Sequence, residues 1–185
     1  MSSLIDIARQ FYPPGIDTED PAYRLSEQAK RLTAVIEALA PSMGDTREIA
    51  VETAARHTQA LGSLATKHQR DWPGFLTVLR EYLPRCTIDD TTVPWHDPCY
   101  RCRISGADSS CEVLVSVLAP IYTITGDVEL AVAEARAALP PDLDYVPAEQ
   151  LATRIPDLVP RTGTRALGGA VLGDLLFSTR VDAGW

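Results

Sequence analysis

Histidine is scarce in this chain, with 3 in 185 residues, and no Gly-x-Ser-x-Gly elbow accompanies them. A serine or cysteine nucleophile paired with a histidine base therefore has little to build on. Phosphate loops are missing too. The run Gly168-Gly169-Ala170-Val171-Leu172-Gly173 lacks the Walker lysine and hydroxyl and the Rossmann spacing, so it reads as a turn before the last element. The acids show no EF-hand spacing. No uncharged apolar run approaches the roughly 18 residues of a membrane span. The opening MSSLIDIARQFYPPG has no basic segment followed by an apolar stretch, so secretion by that route is not expected. No repeat, low-complexity tract or Gly/Ser linker divides the chain.

What is present suits one globular domain over residues 1–185, with 45% hydrophobic and 23% charged residues. The reading is mainly helical over 1–84 and sheet with helices over 85–185. Four cysteines without a leader point to reduced thiols in the cytoplasm rather than a disulfide framework. Charge is uneven. Residues 1–85 hold 11 acids and 10 bases, whereas residues 86–185 hold 14 acids and 7 bases, the larger share of a net charge of −8. An acidic second half repels nucleic acid and anionic lipid and speeds encounter with a basic partner, although such surfaces also simply keep proteins soluble.

Ser3 with Asp6 is a capping box for a short helix stopped by Pro13-Pro14-Gly15. Leu25, Ala29, Leu32, Ile36 and Leu39 make a helical stripe ended by Pro41. Asp45 and Glu48 cap a further segment to about residue 70, which carries His57 and His68 on one face and pairs with the stripe as an antiparallel couple. Those histidines are about 16 Å apart along the axis, too far for one ion or one proton transfer. Asp71 caps another helix with Pro73 in its first turn and Phe75, Leu76 and Leu79 on its apolar face.

Period then changes. Residues 86–93 are rich in Thr and Ile, and residues 99–126 read as a β-hairpin. A turn at Gly106-Ala107 sets Arg101 opposite Glu112 on one face, with Cys102 opposite Cys111 and Tyr100 opposite Val113 on the other. Leu114, Val115, Val117 and Leu118 are too apolar to face water, as in a strand covered on both sides, and Pro120 marks a bulge or edge before residues 121–125 continue it. A helix over 127–139 covers the sheet, a short helix opens at Pro147, and the last apolar run, 170–177, is read as extended. The expected class is α+β, with N-terminal helices packed on an antiparallel β-sheet and one further covering helix.

A zinc site could draw on His96, Cys99, Cys102 and Cys111. Strand geometry opposes it, since residues three apart on a strand point to opposite faces, and buried core thiols are the plainer reading. Cys102 and Cys111 could bridge under oxidation. Scattered loop acids, Asp89, Asp90, Asp97, Asp108, Asp142 and Asp144, are candidates for contact with a basic protein or are merely solvated. Trp95, between Pro94 and His96, is either a recognition aromatic or a lid folded back on the sheet.

Three stretches, FYPPGIDTEDPAYRLSEQAKRL, VLVSVLAPIYTI and LLFSTR, together resemble bacterial immunity proteins encoded beside polymorphic toxins. The resemblance implies a cytoplasmic, non-enzymatic, cofactor-free protein that neutralises a cognate toxin by tight binding. It carries no contact motif that can be transferred by position. A basic toxin such as a nuclease would match the acidic half. The other readings are a small-molecule-binding protein or small biosynthetic enzyme with a pocket between helices and sheet, and a zinc-containing interaction module.

Overall fold

The computed structural model describes residues 3–39, 64–93, 96–127, 129, 131–161 and 165–178. The capping pair Asp45 and Glu48, His57 and Trp95 lie outside them, and so does the side chain of His68.

The chain opens with α1 (Leu4–Ala8), held by the expected box: Asp6 N–H donates to Ser3 Oγ at 3.2 Å and Ser3 N–H to Asp6 Oδ2 at 3.1 Å. The next helical stretch is broken in two. Asp20 caps α2 (Pro21–Leu25), and Ser26 is extended, ending α2 and accepting from Ala29 N–H to start α3 (Glu27–Leu39). The break leaves Leu25 outside the stripe, 72% exposed, whereas Leu32, Ile36 and Leu39 are buried as expected. No new helix starts at Asp71. Instead α4 (Leu64–Tyr82) runs through it, with Pro73 in its interior and Trp72, Phe75, Leu76 and Leu79 buried. A proline removes one backbone donor from a helix, and the apolar face on its C-terminal side keeps this one docked.

The sheet has five strands in the order β1 (Thr87–Asp90), β2 (Cys99–Ser105), β3 (Ser110–Ser116), β4 (Ile121–Gly126), β5 (Asp144–Tyr145). The first four are antiparallel, and the short β5 adds to β4 in parallel. Helices and sheet together make the expected α+β class.

The β2–β3 register is displaced by two residues from the expected one. Arg103 faces Glu112, Ile104 faces Cys111, Cys102 faces Val113 and Tyr100 faces Val115. A two-residue primed turn needs positive φ, which Gly106 does not adopt; residues 106–109 form a longer loop closed by Gly106 N–H to Ser109 O at 2.8 Å. A slip of two keeps every side chain on its expected face. The second arm is also not one strand. The chain reverses over residues 117–120, so β4 returns beside β3 and Pro120 sits in the turn rather than in a bulge.

Both faces of the sheet are covered, which is why Val113, Leu114, Val115 and Ser116 are all buried. On one face Trp72 of α4 stacks on Tyr100 with ring centroids 5.2 Å apart, and α5 (Val132–Ala138) sets Arg136 over Tyr145. That helix starts later than the expected position at 127. On the other face, α7 (Leu172–Leu176) accepts from Ser116 Oγ at Leu176 O, 2.8 Å, and from Tyr12 hydroxyl at Leu175 O, 2.6 Å. The last apolar run is thus helical, not extended: Asp174 reaches back to Val171 N–H and starts a turn that buries every residue of it. A short α6 (Ala148–Leu151) follows Pro147 as expected.

Candidate functional site

The cysteines are scaffold. Cys99 points to the α7 face, while Cys102 and Cys111 point to the α4 face, and His96 lies exposed in the turn before β2. The four proposed zinc ligands therefore do not converge, and among the described residues no three of His, Cys, Asp and Glu gather to hold a metal. Cys102 and Cys111 are diagonal rather than opposite, which puts them roughly 7–8 Å apart, beyond ordinary disulfide reach. Burial pushes all three thiols up, Cys111 to about 12, so they stay protonated and poorly nucleophilic at neutral pH.

The candidate contact acids divide by location. Asp97 is 3% exposed, and its Oδ2 accepts from Arg101 Nη2 at 2.9 Å, so it cannot reach a partner while folded. Asp90 accepts from Trp72 Nε1 at 3.2 Å and from Thr92 N–H at 3.0 Å, joining α4 to the sheet edge. Asp89 is exposed on β1, opposite Arg103. Asp142 and Asp144 are exposed at the β5 end, while Asp108 is exposed on the β2–β3 loop at the other end of the central strands, about 20 Å away.

At the Asp108 end the fold assembles what the sequence did not suggest as a unit. Gly126 pairs with Cys111, and Asp127 N–H donates to Ser110 O at 3.0 Å, which fixes the end of β4 against the start of β3. Exposed Asp108 and Asp127 consequently lie at one end of the sheet, and neither has an ion pair among the described residues. Next to them Glu112 is satisfied by Arg103 at 2.7 Å.

Sequence reasoning missed a second region. Tyr23 and Arg161, 138 positions apart, line one cleft against α2 and α3. No spacing rule could have joined them.

Compared with protein-family models, curated proteins and solved structures, the chain gives no match in any of the three.

Proposed function

We propose that this protein is an immunity-type inhibitor that neutralises a cognate basic toxin, such as a nuclease, by tight binding rather than by catalysis. The observation that carries the reading is the acidic end of the sheet, where Asp108 on the β2–β3 loop and Asp127, whose N–H is bonded to Ser110 O, are exposed beside the paired β3 and β4. Carboxylates beside paired strands hold their charge pattern at a lower ordering cost on association. Complementary charge of this kind raises association rates and suppresses wrong partners, and the net charge of −8 extends the attraction over the whole body. The resemblance of three stretches to immunity proteins points the same way, and a cytoplasmic site of action belongs to that reading.

Copurification with the product of the neighbouring gene, and rescue of cells expressing that product, test the proposal. Both are expected, and failure of both overturns it. In the complex, Asp108→Lys with Asp127→Lys should slow association by about tenfold at low salt and leave the free protein folded.

A further inference from the structure

A cleft of about 640 Å³ opens beside α2 and α3, within the usual range for small-molecule sites. Two groups in its wall have unmet chemistry. The hydroxyl of Tyr23, a residue only 5% exposed, and Nη1 of Arg161 are both buried and without a hydrogen-bond partner among the described residues. Folded proteins satisfy nearly all such groups, because an orphaned donor retains its desolvation cost. Here two orphans from distant parts of the chain border the same space.

Their positions are fixed locally. Tyr23 sits in a helix whose start is capped by Asp20 and whose end is held by Ser26 Oγ donating to Tyr23 O at 2.7 Å. Arg161 follows Pro160, which restrains its entry to the cleft. The two groups sense each other. Burial pushes the Tyr23 phenol up to about 12, and the Arg161 cation opposes that rise, so at neutral pH the hydroxyl remains a donor beside a permanent cation. A hydroxyl and a guanidinium that each have a donor to spare suit an oxyanion. Arg24 and Lys30, the latter paired with Glu27 at 2.7 Å, stand in the walls with Glu19 and Glu37.

We propose that this cleft binds a small organic anion, whose carboxylate or phosphate oxygens are received by the Tyr23 hydroxyl and the Arg161 guanidinium. Such a site is separate from the acidic end of the sheet and does not depend on toxin binding.

Calorimetric titration of the full chain with benzoate, inorganic phosphate and uncharged benzamide tests it. At least one anion should bind with a dissociation constant of about 1 mM or tighter, and benzamide should not. A preference for benzoate identifies a carboxylate ligand, and the reverse preference a phosphate ligand. Arg161→Gln should weaken binding at least about tenfold, and Tyr23→Phe about threefold to tenfold. Removing a hydroxyl that has no partner should leave the melting temperature of the free protein unchanged or raised. Should Arg161→Gln fail to fold, Arg161→Lys replaces it, since a lysine keeps the positive charge but cannot offer the planar pair of donors. The proposal is overturned if neither anion binds, if binding survives both substitutions unweakened, or if Tyr23→Phe destabilises the unliganded protein.

Discussion

Arg101 Nη2 lies 2.9 Å from Asp97 Oδ2, with only 2% and 5% of the two side chains open to solvent. This pair closes the turn before β2 onto the strand itself, and Glu112 stands behind it with Oε2 3.9 Å from Arg101 Nε. A charge left alone at such a depth costs far more than the pair contributes net. Asp97→Ala and Arg101→Met should each therefore destabilise the protein by about 3 kcal/mol or more in urea melts. The double variant should lose clearly less than the sum of the two. Strict additivity would show that the two side chains do not interact.

The displaced register makes a separate forecast. Arg103 and Glu112 are directly opposite, with Nη2 2.7 Å and Nε 3.1 Å from Glu112 Oε1. Arg103 is nearly half exposed, so solvent screens the pair and its coupling in a double-mutant cycle should be about 0.5 kcal/mol. The register expected from sequence sets Arg103 opposite Ser110 instead and predicts none. A cycle in which Arg103→Ala and Glu112→Ala act independently would favour that register.

What sequence could reveal here follows from how local each determinant is. The Ser3–Asp6 box, the apolar face of α4 and the two-sided burial of β3 depend on neighbours in the chain, and each is found where expected. Register depends on loop conformation, and the backbone of Gly106 is not written in the pattern of side chains. The run 170–177 fits either period, and what makes it a helix is Asp174 folding back on Val171 N–H. For the candidate sites the same division holds. Asp108 could be proposed as an exposed loop acid, whereas its grouping with Asp127 needs strand pairing, and the Tyr23–Arg161 cleft needs the whole tertiary fold.

Gly126 ends β4 with φ +85°, and a Cβ there would come within 2.6 Å of Ser110 O, part of the rigid pairing that carries the acidic end. Gly168 has a similar φ of +90° but open space around it. Comparing alanine at the two positions separates strain from collision. Gly168→Ala should cost about 1 kcal/mol, from the left-handed backbone alone. Gly126→Ala should cost at least about 2 kcal/mol more, since a carbonyl in a paired strand cannot move aside cheaply. Equal losses in chemical denaturation would mean that the β4 end yields readily.

The buried thiols give the protein an alkaline limit. Cys99, Cys102 and Cys111 lie in the core, while Cys86 is half-buried. Burial raises the folded pKa of each of the three, Cys111 to about 12, whereas in the unfolded chain a thiol ionises near ~8.5. Between those values the folded state holds a proton that the unfolded state releases. The stability contributed by each thiol is therefore complete below about pH 8.5 and declines as pH rises toward the folded pKa, by up to about 1.4 kcal/mol per pH unit. Urea melts should show a marked loss of stability between about pH 8 and about pH 10, and Cys111→Ala should reduce the slope by close to one proton. At about pH 8, a thiol-labelling reagent should modify half-buried Cys86 first and reach the other three only on unfolding. Rapid modification of Cys102 or Cys111 in the native protein would mean that the α4 face of the sheet is not closed.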